Sequence, residues 1–131
     1  MTLGDFFGPP IYSYTRADAI RDGVLIDVTT TAHEAGFRVP VALTAAAAAE
    51  AVTWDPAHGA HQDPTGRLWD VLTMAHLAAT RGGDTDRAGF HVLRIPNQPD
   101  AQVPVLTALD LHIGPGDDAE PVVTILLPGE D

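Results

Sequence analysis

The strongest periodicity in the chain runs over residues 67–80, RLWDVLTMAHLAAT, where Leu68, Val71, Leu72, Ala75, Ala78 and Ala79 recur at the i, i+3, i+4 spacing. Side chains three and four positions apart share one face of an α-helix, so this stretch predicts a helix with a wide apolar stripe. Further on the period changes to two. Residues 90–95 set Phe90, Val92 and Arg94 against His91, Leu93 and Ile95. Residues 103–113 set Val105, Leu109, Leu111 and Ile113 against Leu106, Asp110 and His112, and residues 122–127, VVTILL, form the most apolar run. Alternation is the mark of a strand, and short connections between three successive strands predict an antiparallel meander.

The first half is punctuated by caps. Thr15 with Asp18 three residues on forms a capping-box pattern ahead of RADAIRD, and Gly23 supplies the left-handed residue that closes the helix. VLIDV (24–28) is a short β-branched run expected to turn Val24, Ile26 and Val28 inward. Residues 30–36 predict a second short helix closed by Gly36, and residues 37–43 an extended segment that Pro40 keeps at a sheet edge or in irregular structure. Thr44 then caps a third helix through Ala45–Val52. Its alanines favour helix by propensity but bury little area, which suits close packing and makes this helix a candidate homodimer contact. Residues 54–66 and 81–89 are rich in Gly, Pro and polar side chains and predict a loop and a turn-rich connection. The opening residues 1–14 predict an extended arm pinned by Phe6, Phe7, Ile11, Tyr12 and Tyr14.

These elements predict an α+β fold: three or four short helices in the first two-thirds, then a meander of about three strands with an extra edge strand. At 131 residues one domain is expected, with the arm (1–14), a mainly helical part (15–80) and a strand-rich acidic part (90–131).

Charge changes the picture more than composition does. Hydrophobic residues at 45% and charged residues at 19% are ordinary for a globular chain, but the formal net charge is −11, with seven arginines and no lysine. Residues 1–94 hold every arginine and eleven acids, a net of −4, whereas residues 95–131 hold seven acids and no basic residue. Scattered arginines on so acidic a chain cannot neutralise a phosphate track, so direct nucleic-acid binding is not expected. Without cysteine there is no disulfide, thiolate metal site or cysteine nucleophile. Met1–Pro10 carries Asp5 and no basic residue, unlike a secretory signal, and no 18 apolar residues run together. A cytoplasmic protein without membrane contact is the expectation.

Few positions carry recognisable chemistry. His58 and His61, with Asp55 and Asp63, are the one close gathering of metal-capable side chains, but they fall in a loop that does not pre-organise them, and a solvated polar loop is the simpler account. The Gly114–Glu120 turn has the acids of an oxygen-ligand site without the spacing of a helix-flanked calcium loop; acidic turns are common because Asp bonds its own backbone. No metal and no cofactor are expected. Asp110 and His112 share a strand face, which could orient a general base, yet Ser13 is the only serine and no nucleophile accompanies them. His76, bordering the stripe of the long helix, is best explained as a packed structural residue.

Four stretches together carry a resemblance: residues 14–28 (YTRADAIRDGVLIDV), 34–44 (EAGFRVPVALT), 62–72 (QDPTGRLWDVL) and 114–131 (GPGDDAEPVVTILLPGED). They resemble a family of small bacterial proteins of unknown function, carried on plasmids and integrative elements near antirestriction and conjugation genes. The resemblance covers most of the chain and implies an accessory role on mobile DNA without assigning a catalytic residue.

With the charge pattern, this leads to the first functional expectation: a non-enzymatic acidic binding protein that inhibits host defence nucleases, of the anti-CRISPR or antirestriction type, by meeting a basic channel with nucleic-acid-like charge. The partner would be a protein with a basic surface, a nuclease or CRISPR effector, and the contact residues Asp117, Asp118, Glu120, Glu130 and Asp131, supported by Asp100 and Asp110. Two alternatives stand beside it. One is a small enzyme or nucleotide-binding protein using a pocket with Arg16, Asp27, Asp110 and His112. The other is a structural or regulatory dimerisation module.

Overall fold

The computed structural model describes residues 13–82 and 85–130. Phe6, Phe7, Ile11 and Tyr12 of the expected arm, and Asp131, lie outside the described residues. In chain order the elements are α1 (Arg16–Arg21), β1 (Leu25–Asp27), α2 (Thr29–Glu34), β2 (Val41–Thr44), α3 (Ala45–Ala51), α4 (Pro64–Arg81), β3 (Arg87–Arg94), β4 (Val105–Pro115) and β5 (Pro121–Leu126). The fold is α+β, with four helices and a five-stranded mixed sheet in the order β1-β2-β5-β4-β3 among the described residues.

Local sequence explains the helix ends. The Thr15 hydroxyl accepts from the Asp18 N–H while the Asp18 carboxylate accepts from the Thr15 N–H, completing the capping box of α1. Thr44 accepts from the Ala47 N–H to start α3. Helix α4 begins three residues earlier than its apolar period suggests. Asp63 caps it through the Thr65 N–H, and Pro64 occupies a first-turn position whose N–H has no intrahelical acceptor.

The meander forms as expected: β3 pairs antiparallel with β4, and β4 with β5. The sheet then extends beyond it. β2 runs parallel to β5, with Val41 opposite Val123 and Leu43 opposite Ile125, and β1 completes the sheet antiparallel to β2. Two expectations are corrected here. Residues 37–40 are irregular, one of the two outcomes expected for this segment, but residues 41–43 are not an edge: β2 starts at Val41 and lies between β1 and β5, while the Pro40 carbonyl accepts from the Val123 N–H at 2.9 Å. Proline is tolerated because it stands just outside the ladder. Val24 and Ile26 are not buried either, at 52% and 41% exposure, because β1 is the edge strand and has a neighbouring strand on one side only.

Val41, Leu43, Phe90, Val92, Leu109, Leu111, Val123 and Ile125 meet Ala32, Ala47, Ala51, Val71, Leu72 and Ala75 in one hydrophobic cluster. Helices α2, α3 and α4 therefore cover one face of the sheet. The inner face of the alanine helix is used within the chain: Ala47 and Ala51 are fully buried, and their small side chains let α3 approach the sheet closely. Among the described residues no helix is long and apolar enough to cross a membrane.

Candidate functional site

Side chains alternate across a strand, so the residues between the core positions project from the other face of the sheet. These are Ala42 and Thr44 on β2, Val122, Thr124 and Leu126 on β5, Asp110 and His112 on β4, and Arg87 on β3. The register brings them together: His112 lies opposite Thr124 on one side and Arg87 on the other, and Asp110 lies opposite Leu126. A cleft of about 570 Å³ opens here, with Val24, Leu25, Ala45, Ala46 and Leu126 as its apolar walls and Thr44, Thr124, Arg87, His112 and Glu130 as its polar groups.

Most of those polar groups are held in place. Arg87 Nη2 lies 2.9 Å and Nε 3.0 Å from Asp110 Oδ2, and Nη2 also donates to the Glu130 carbonyl at 3.1 Å. Glu130 Oε1 accepts from the Thr44 hydroxyl and the Leu127 N–H, both at 2.7 Å, which ties the end of the chain to the start of α3. The half-buried His112 imidazole is the exception. It lines the cleft and makes no hydrogen bond among the described residues. Gly114, two residues on along the same face, leaves the space the ring occupies: a Cβ there would stand 2.8 Å from His112 Cε1.

The four pocket residues expected from the sequence share this face but divide between two depressions. Arg16 reaches from α1 onto β5, donating to the Thr124 hydroxyl at 2.7 Å and the Val123 carbonyl at 2.8 Å. Burial pulls its pKa below the ordinary arginine value, and the negative fields of Asp27, Asp117 and Glu120 oppose that shift. Arg16 and Asp27 line a smaller hollow of about 320 Å³ with Asp117 and Glu120. Asp27 Oδ1 accepts from the Thr29 N–H and hydroxyl and so starts α2. Asp110 stands behind Arg87, and His112 alone of the four lines the larger cleft.

The carboxylates expected to meet a basic partner are largely engaged within the chain. Asp117 accepts from the Arg16 and Ala17 N–H groups at 2.8 and 3.0 Å, capping α1 from 100 residues away. Glu120 folds back over Gly116 and accepts from the Asp118 N–H. Asp110 and Glu130 hold the cleft wall as described. Asp118 and Asp100 are exposed, and neither carboxylate is hydrogen-bonded or ion-paired among the described residues. Asp131 lies outside them.

The histidine-bearing loop folds around Trp54. His58 meets that indole edge-on at 5.5 Å between centroids, its Nε2 lies 3.9 Å from Asp55, and Asp63 caps α4. No group of three metal-capable side chains gathers among the described residues. His76 packs edge-on against Phe37 at 5.2 Å.

Sequence reasoning missed Arg87, Thr124 and Thr44 as parts of one site. Arg87 is in phase with His91 along β3, but Gly89 and the preceding turn residues hide the start of the strand. Thr44 and Thr124 come together only through the parallel β2–β5 pairing.

The family described as "Family of unknown function (DUF6573)" matches residues 5–131. No curated protein and no solved structure matches the chain.

Proposed function

The chain belongs to DUF6573, and from that premise we propose that it is a binding protein for a small neutral ligand, held in the cleft on the sheet face opposite α2, α3 and α4. The observation that carries this reading is the half-buried His112 imidazole, without a hydrogen-bond partner among the described residues, in a cleft of about 570 Å³ with apolar walls. That volume falls within the range of small-molecule sites, which combine apolar lining with a few fixed polar groups. The charge balance selects the class of ligand. Asp110 already matches Arg87, Glu130 adds a carboxylate, and a chain of −11 repels polyanions. Among the described residues that line the cleft, a phosphate therefore meets no arginine that a carboxylate does not already match. A neutral heterocycle of nucleoside size can stack its apolar body on Leu25, Ala45 and Leu126 and present donors and acceptors to His112 and Thr124.

Saturation-transfer NMR with nucleobases, nucleosides and nucleoside monophosphates tests this. The expected result is binding of neutral members over phosphorylated ones, a shift of the His112 ring resonances, and loss of binding in His112→Ala. A panel that leaves the His112 resonances unmoved would overturn the reading.

The alternative of an inhibitor of host defence nucleases on mobile elements stands second, supported by the net charge and by the exposed Asp118 and Asp100. It predicts a steep loss of association rate with salt and a slower association in Asp118→Asn.

A further inference from the structure

The two edges of the sheet differ. β1 exposes three residues, whereas β3 exposes eight, Arg87 to Arg94, paired to β4 in unbroken register and to no strand on its outer side among the described residues. On the outer side of this edge the Arg87 carbonyl accepts from the Thr85 hydroxyl at 3.2 Å and the Leu93 carbonyl from Arg94 Nε at 2.8 Å, whereas the Gly89 and His91 backbone groups at its middle have no partner among the described residues and can meet another strand. Helix α4 runs beside it with an exposed flank, Asp70, Met74, Leu77 and Arg81, at the spacing of one helical face. Met74 and Leu77 are 38% and 40% exposed. Two shallow grooves between this flank and β3, about 410 and 510 Å³, meet at Met74 and His91.

We propose that β3 and this flank of α4 form an isologous dimer interface, in which β3 pairs antiparallel with β3 of a second copy and the two five-stranded sheets join into one. The argument for a second copy, rather than an unrelated strand, is that the surface is its own complement. A two-fold axis through the middle of the helix flank places Asp70 opposite Arg81 of the second copy and Met74 opposite its Leu77, each contact occurring twice. Opposite charges then lie at the two ends and apolar side chains at the centre. The same axis serves the strand. α4 and β3 run antiparallel, with Asp70 beside Arg94 and Gly82 beside Ala88, so the centre of the flank lies next to the centre of β3 at Phe90–His91. One symmetry operation thus satisfies both the strand edge and the helix flank. Asp70 can take part because its side chain stays 65% exposed while one oxygen holds Arg94 at 2.6 Å.

Sedimentation equilibrium of the full chain, from micromolar to millimolar, should show a mass rising from 13.8 kDa to twice that value. Hydrogen exchange should slow at alternate amides between residues 87 and 94 as the concentration rises. Arg81→Glu, an exposed change that sets like charges against Asp70 at both ends, should raise the dissociation constant about tenfold, and Leu77→Lys should raise it further. A mass of 13.8 kDa throughout, a dimer whose β3 amides exchange at concentration-independent rates, or a dissociation constant untouched by Arg81→Glu would each overturn the proposal.

Discussion

Arg94 Nη1 donates to the carbonyl oxygen of Arg67 at 3.1 Å, and the two arginines, 4% and 2% exposed, lie side by side at one end of the core. Their guanidiniums do the same work. Arg67 donates to the Val52 carbonyl at 2.9 Å and the Ile95 carbonyl at 2.8 Å, and Arg94 donates to the Ala51 carbonyl at 3.3 Å. Ala51 and Val52 end α3, so two buried arginines satisfy carbonyls that a helix C-terminus leaves without intrahelical partners. One carboxylate, Asp70, is held by Arg94. Burial first, and the neighbouring Arg94 charge second, pull the Arg67 pKa below its ordinary value, while Asp70 opposes the shift.

Removing the Arg67 guanidinium sets two effects against each other. Arg67→Met relieves the desolvation and the like-charge contact, but it orphans the Val52 and Ile95 carbonyls and uncovers the Trp54 ring, which the guanidinium overlies at 5.2 Å. The lost hydrogen bonds outweigh the relief, and the expected loss of stability is about 2 kcal/mol. Arg67→Lys should be nearly as damaging, because one ammonium cannot span both carbonyls. Urea unfolding with an unchanged m-value measures both. A variant as stable as the parent would show that the carbonyl contacts are not what holds this end together.

Asp117 and Asp118 are neighbours with opposite duties. Asp117 caps α1 from the β4–β5 turn, whereas the Asp118 side chain faces solvent. Asp117→Ala should therefore lower stability by about 1 kcal/mol, as loss of a helix cap does, while Asp118→Ala should stay near zero. Thermal unfolding of the two variants side by side decides it. Equal effects would mean that Asp117 is not acting as a cap.

Much of the fold was legible because its signals are local. The stripe of α4, the Thr15–Asp18 box, the Thr44 cap, the alternation in β3 and β4 and the apolar run of β5 each depend on residues a few positions apart. The placement of β2 was not legible: Val41, Ala42 and Leu43 are all buried, so no alternation marks the strand, and its partner lies some eighty residues away. The candidate site fared similarly. His112 and Asp110 could be assigned to one strand face, but the approach of Arg87, Thr124 and Glu130 depends on sheet order. The engagement of Asp117 was hidden for the same reason, since nothing near it in sequence shows that it accepts from the first amides of a helix at Arg16. Arg94 did carry a signal: it alternates in phase with Phe90 and Val92, and a charge on an apolar face points to burial with partners.

Gly36 and Gly23 both close short helices at positive φ, +112° and +77°, yet they differ in what surrounds them. A Cβ on Gly23 meets nothing within 4 Å, whereas one on Gly36 lies 3.1 Å from His76 Nε2. Gly23→Ala carries only the penalty of a left-handed alanine, about 1 kcal/mol. Gly36→Ala adds a backbone angle outside the ordinary left-handed region and a clash with a ring held edge-on by Phe37, for a loss of about 2–3 kcal/mol. Combining it with His76→Ala separates the two causes. The double variant should be less destabilised than the sum of its single changes, because the steric part vanishes while the backbone part remains. Strict additivity in urea melts would place the whole penalty in the backbone and remove His76 from the account.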